Sequence, residues 1–234
     1  MDITYPNGCK KAFTMSYDDG IEQDKRFIEI INRYSLKATF NINYGLLDES
    51  GYWETEGVKV KRLESKELQS LYQGHEIACH GLTHSNIVDE VYAEKEQQII
   101  EDKKQLEKLL GKEIYGMAYP FGTVDDDMIN IMKENGLEYG RVVEATHDFQ
   151  LPTDFYKIQP TAHHNDANMY SLIEEYKALD DGKLSVFYLF GHAYEFDVNN
   201  NWEHLEEICK KISMRSDIWY CTNEELIRFL HTIN

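Results

Sequence analysis

The run Lys11-Ala12-Phe13-Thr14-Met15-Ser16-Tyr17 alternates in strand fashion and stops at Asp18-Asp19-Gly20, an acidic turn signal. Phe27, Ile28, Ile30, Ile31 and Tyr34 then fall at helical spacing, and residues 37–43 return to a strand. Residues 48–62 are polar and glycine-containing and read as an irregular excursion. Residues 65–72 read as a short helix with Ser65 as its N-cap and Leu68 and Leu71 inward. A third strand, Glu76-Ile77-Ala78-Cys79, runs straight into His80-Gly81-Leu82-Thr83-His84. Between residues 85 and 110, Ile87, Val91, Ile99, Ile100, Leu106, Leu109 and Leu110 predict one long helix, stopped by Gly111. Residues 114–119 predict strand four, broken by Pro120-Phe121-Gly122. A helix over 125–135 and strand five over 139–143 follow. Residues 144–168 read as a long irregular segment that hides a sixth strand. A helix near 169–179 precedes residues 184–190, the most apolar strand, which ends at Gly191-His192. A helix, a strand over 218–221 and a helix over 223–230 close the chain.

Strand and helix thus alternate about seven times with no linker and no internal repeat, so residues 1–234 read as a single domain. Such alternation predicts parallel strands with helices packed outside them. In α/β barrels the chemistry gathers at the C-terminal strand ends. The polar punctuation falls there: Asp18 and Asp19 after strand one, His80 and His84 after strand three, Pro120-Phe121-Gly122 after strand four, and His192 after the late apolar strand. That alignment predicts one shared site.

Composition adds little to this pattern. Hydrophobic residues are 42% and charged residues 28%, ordinary for a globular protein of 234 residues. Asp plus Glu is 42 against Lys plus Arg 24, a net charge of −18, which argues against nucleic acid or an anionic membrane surface as partner. Sixteen Tyr, 10 Phe and 3 Trp mostly fill the core, and any on a concave surface would stack on sugars. Cys9, Cys79, Cys209 and Cys221 form no C-x-x-C pair and read as buried free thiols. No apolar leader or membrane span is visible, so the sequence as it stands reads as cytoplasmic with no membrane insertion; a removed leader would leave the same text.

The strand ends carry the chemistry. Two imidazoles four apart supply two metal ligands, and a catalytic zinc takes three from the protein and leaves one position open. Asp19 with His80 and His84 makes such a set, the cation being zinc first, with cobalt, nickel or manganese as alternatives. The open position would hold a water whose pKa the metal lowers. Asp18 is then placed as general base and His192 as the acid for the leaving group. A backbone N–H beside Pro120-Phe121-Gly122 would stabilise a developing oxyanion, an effect worth roughly 3 kcal/mol per donor. His163 and His164 stand as ligands, as groups behind the ligands, or as part of a polar loop.

These motifs resemble those of the polysaccharide deacetylase family, also called the NodB-homology domain or carbohydrate esterase family 4. The family's T-F-D-D-G appears as Ser16-Tyr17-Asp18-Asp19-Gly20, and its H-[ST]-x-x-H as His80-Gly81-Leu82-Thr83-His84. Its R-x-P-[YF]-G resembles Ala118-Tyr119-Pro120-Phe121-Gly122, and its late apolar strand ending in His resembles Leu189-Phe190-Gly191-His192. The resemblance implies a distorted (β/α)7 barrel and metal-dependent removal of an acyl group, usually acetyl, from an N- or O-acetylated carbohydrate. It implies Asp18 as base, Asp19, His80 and His84 as ligands, His192 as acid, and the N–H of Phe121 at the oxyanion. Tyr119, Pro120 and His164 are expected to contact substrate.

Three departures stand out. Gly81 replaces the hydroxyl residue that supports the His loop, leaving that role to Thr83 or a water. The Arg that orients the catalytic Asp is Ala118 here, and Arg141 from strand five is the expected substitute. The fourth motif, which tunes the acid His, is absent; Pro160-Thr161-Ala162-His163-His164-Asn165-Asp166 stands in its place, with Asp166 or His164 expected to take the role. Two other readings remain open: a carbohydrate-binding homologue without turnover, and a deacylase of a small non-polymeric amide.

Overall fold

A computed structural model describes residues 3–233. Strand β1 (Lys11–Asp18) is buried along its whole length and forms the spine of the main sheet. Helix α1 (Asp24–Arg33) follows and buries Phe27, Ile28, Ile30 and Ile31, and β2 (Thr39–Ile42) returns beside β1. The segment read as irregular contains a hairpin, β3 (Trp53–Thr55) and β4 (Val58–Val60). Glu56 and Gly57 both take positive φ at its tip, the backbone of a tight two-residue turn. A 3-10 turn leads into α2 (Leu68–Leu71); its cap is Glu64 paired with Glu67, not Ser65, whose N–H goes to Asp48.

Strand β5 (Glu76–Cys79) is followed by a long crossing before α3 (Tyr92–Glu96), a π-helical turn (Gln97–Glu101) and α4 (Asp102–Leu110). The helix expected from residue 85 therefore begins at Tyr92. Positive φ at Gly81 and His84 turns the chain away first, and Val91 is left 66% exposed at the helix start. Next come β6 (Gly116–Ala118), α5 (Asp126–Glu134) capped by the Asp125 carboxylate on Met128 N–H, and β7 (Tyr139–Arg141). The hidden sixth strand is β8 (Ala162–His163). Helix α6 (Met169–Ala178), strand β9 (Ser185–Gly191), helices α7 (Glu195–Val198) and α8 (Trp202–Ile212), β10 (Ile218–Tyr220) and α9 (Asn223–Ile233) complete the chain.

The main-sheet pairings are all parallel, in the order β7-β6-β5-β2-β1-β9-β8 with β10 also on β1. The stretch before β8 bonds to β7 through Ile158 and Gly140, and then to β9 through Thr161 N–H on Tyr188 O at 2.8 Å. The sheet so curls back on itself as a distorted (β/α)7 barrel. The four cysteines are free and buried, as read. Among the described residues no helix is long and apolar enough to cross a membrane.

Candidate active site

Parallel strands put their C-terminal ends on one face, and there the chain builds a cleft of about 450 Å³. Asp18, Asp19, His80, His84 and His192 line it together with Trp53, Arg62, Tyr119, Phe121, Val143 and Tyr194. One ligand-type atom each of Asp19, His80 and His84 lies within 4.8 Å of the others. His80 Nδ1 must donate to Ala118 O, 2.7 Å away, because a carbonyl only accepts. Its Nε2 therefore carries a lone pair, and that buried atom has no hydrogen-bond partner. An orphaned, correctly tautomerised imidazole aimed at a carboxylate and a second imidazole fits a borderline-soft divalent cation.

The His80–His84 loop is held from outside. Asn43 Nδ2 donates to His80 O at 2.5 Å and Gly81 O at 2.6 Å. The fully buried Asp102 carboxylate accepts from His80 N–H at 3.0 Å and from Tyr44 N–H at 2.7 Å. Gln98 in the π-helical turn accepts Leu82 N–H on its carbonyl at 2.9 Å, and its side-chain amide pairs with both N–H and Oγ1 of Thr83. Thr83 and Gln98 thus supply the support that Gly81 cannot.

Asp18 is 2% exposed. Arg141 Nη2 donates to its two oxygens at 2.6 and 2.5 Å, and Asn41 Nδ2 donates to Oδ1 at 2.7 Å. Burial alone would raise the Asp18 carboxyl, but Arg141, with His80 and His192, holds it below the usual carboxylate range. Arg141 is fully buried and reaches Asp18 from two strands beyond β5, where the sequence reading placed a substitute for the missing Arg. Arg62, from the end of the hairpin excursion, donates to Asp19 Oδ1 at 2.9 Å and to its carbonyl.

His192 Nε2 stands 3.7 Å from Asp18 Oδ2. Its partner on the other side is Glu195, which the sequence reading missed. Glu195 Oε2 accepts His192 N–H at 3.1 Å and lies 3.5 Å from Nδ1. The signal was a carboxylate one helical turn after His192. Burial alone would lower the His192 imidazolium; Glu195, Asp18 and Asp19 push it up to about 9. Asp166 is not the tuning group, since it pairs with His147 at 2.6 Å on the surface.

The expected substrate contacts need correction. His164 is fully buried, stacked between Tyr17 and Phe196, and has no surface to offer a sugar. It packs so tightly under β9 that a Cβ on Gly191 would sit 2.0 Å from its Nδ1. Tyr119 reaches the cleft wall but sends its hydroxyl inward to Tyr156 O at 2.8 Å, and Pro120 is buried against Gly81. Phe121, by contrast, is 60% exposed at the rim beside His84.

A family model described as polysaccharide deacetylase matches residues 6–140. The chain belongs to the polysaccharide deacetylase family. Among curated relatives of this family, a poly-β-1,6-N-acetyl-D-glucosamine N-deacetylase of Staphylococcus epidermidis is 26% identical over 74% of this chain and 62% of its own length. The protein of the same name from Staphylococcus aureus is 26% identical over 63% of this chain and 53% of its own. The chain therefore spans little more than half the length of the curated relatives it matches. A Mycobacterium smegmatis protein assigned as a polysaccharide deacetylase superposes with TM-score 0.69 at 15% identity, covering 99% of this chain and 94% of that one. A mutant of a family 4 pseudoenzyme with restored activity superposes with TM-score 0.63 at 16% identity, over 95% of this chain and 69% of that one. At such identities the likeness is one of fold.

Proposed function

We propose that the chain removes acetyl groups from a β-1,6-linked N-acetylglucosamine polymer or oligomer, using a divalent cation held by Asp19, His80 and His84. One observation carries the reading. Asp18 Oδ2 lies 4.0 Å from His80 Nε2 and 3.7 Å from His192 Nε2, at the floor of the cleft where the three ligand-type atoms converge. The relatives' names supply the sugar and the acyl group.

The donor set suits zinc, with cobalt, nickel and manganese as alternatives. When bound, such a cation supplies Lewis acidity toward water and the amide carbonyl. The chain's own residues do the rest. Asp18 takes a proton from the attacking water; Arg141 keeps it ionised and fixes which way its oxygens face. Phe121 lines the same cleft, and its N–H would stabilise the oxygen on which negative charge develops. His192, whose protonated form Glu195 and Asp18 favour, donates from Nε2 to the leaving nitrogen, while Glu195 holds its far side. Water adds, the C–N bond breaks, and acetate and a free amine leave. Trp53 and Tyr194, whose rings meet edge to face across 6.1 Å, wall the cleft where a sugar ring would lie.

The test is acetate release from β-1,6-linked N-acetylglucosamine oligomers with zinc or cobalt supplied. Asp18→Asn and His192→Ala are expected to lose about 10²- to 10⁴-fold in rate. No acetate from these oligomers, with either ion and with a cation shown to be bound, would sink the proposal.

A further inference from the structure

Behind His192, on the side away from Asp18, a second group of donors converges. Glu195 Oε2 lies 3.0 Å from His163 Nε2 and 3.3 Å from His164 Nε2. The ligand-type atoms of these three residues fall within 4.8 Å of one another. Two buried nitrogens facing the same carboxylate, His164 Nε2 and His192 Nδ1, have no hydrogen-bond partner of acceptable geometry. The separations are close to the edge of a tetrahedron with metal bonds of about 2.1 Å, roughly 3.4 Å.

Tautomers allow it. His164 Nδ1 is 3.2 Å from Tyr17 Oη; with that nitrogen donating to the phenol oxygen, Nε2 is left bare. His163 Nδ1 accepts Asn165 N–H at 3.2 Å. That long bond is what the ring gives up on presenting a bare Nε2. The cluster is reachable, since the side chains of His163 and Glu195 are 25% and 21% exposed while His164 is sealed. Two imidazoles and one carboxylate prefer zinc, nickel or copper to magnesium or calcium.

We propose that His163, His164 and Glu195 form a second divalent-cation site, weaker than the Asp19, His80 and His84 set and separate from it. An ion there draws the Glu195 carboxylate away from His192. Excess zinc then inhibits, a consequence that rests on His192 acting as the acid; the binding itself does not rest on that reading.

The experiment uses the full chain and zinc alone. Equilibrium dialysis with metal analysis is expected to give two zinc per chain for the wild type, and one for both His163→Ala and His80→Ala. Glu195→Gln, close to isosteric, is expected to bind one as well and stands in should His163→Ala fail to fold. A wild type that saturates at one zinc, or a folded His163→Ala that still takes two, overturns the site. Acetate release is expected to fall as zinc exceeds one equivalent in the wild type, and His163→Ala to need about tenfold more zinc for the same loss. Two ions bound without inhibition would overturn the link to His192 while leaving the count intact. A count of two with no turnover at all would strike the deacetylase reading instead.

Discussion

Asp19, His84 and Phe121 take φ of 91°, 55° and 59°, three non-glycine residues in left-handed backbone within one cleft. Each such conformation costs of the order of 1 kcal/mol or more and persists only where the surroundings impose it. Here Asp19 is pinned by Arg62, and His84 by a loop tied to Gln98 and Asp102. Arg141 is the residue whose removal tests the cleft most directly. A lysine keeps the charge but is one bond shorter and lacks the planar guanidinium that sets Nη2 between the two Asp18 oxygens. Arg141→Lys is expected to slow acetate release about 10- to 100-fold with cation binding unchanged, because Arg141 touches none of the three ligand-type residues. Arg141→Met takes the guanidinium from a buried carboxylate and is expected to cost about 3–5 kcal/mol in a denaturant titration. Asp18, Asp19, His80, His84 and His192 were legible because each sits beside an apolar strand, and period-two strands fix where their ends lie. Arg62 and Trp53 were not, since their arrival depends on how the hairpin excursion folds back, and no local period encodes that; Glu195 had only its place one helical turn after His192 to mark it.

At the scale of elements, the π-helical turn Gln97–Glu101 is the least ordinary feature. Such turns recur at functional sites. It sits just where Gln98 O accepts Leu82 N–H and just before Asp102, which turns inward to clasp His80 and Tyr44. The helix thereby acts as a clamp on the His80–His84 loop. Asparagine at 102 offers one acceptor oxygen where two N–H groups call for two. Asp102→Asn is expected to weaken zinc binding about 10- to 100-fold, read by competition with a chelator, and to alter the visible spectrum of the cobalt form. Unchanged zinc affinity would show the clasp to be dispensable. Periodicity exposed the strand–helix alternation, because apolar strands and striped helices must bury their faces. It overran the long helix because Ile87 and Val91 keep the helical spacing while lying outside the helix. It passed over the hairpin because three-residue strands are too short to show a period, although Glu56-Gly57 between Trp53 and Val60 marked its turn.

Across the whole molecule, the formal net charge of −18 counts several carboxyls that are buried. Asp24 is the cleanest of them, fully buried at the first position of α1 with Oδ2 accepting from Tyr72 Oη at 2.6 Å and Ile21 N–H at 3.2 Å, and with Oδ1 unpartnered. Burial, opposed by those two hydrogen bonds and helped by Asp19, pushes its carboxyl up from 3.8 to about 7. The folded state thus holds a proton that the unfolded chain releases near pH 4. A raised pKa contributes stability that is complete below the unfolded value and is lost as pH climbs through the folded one. Wild-type stability is therefore expected to decline between about pH 4 and pH 7, by a few kcal/mol at most from this group. Lowering the surface charge with acid acts in the same direction, so the absolute curve does not isolate Asp24. A comparison does: Asp24→Asn is neutral at every pH and keeps an oxygen for Tyr72. Its unfolding free energy relative to wild type, measured by urea titration at pH 5 and pH 8, is expected to improve at the higher pH. Parallel curves would mean that Asp24 is ionised in the folded protein, with Arg62 and the two hydrogen bonds outweighing its burial.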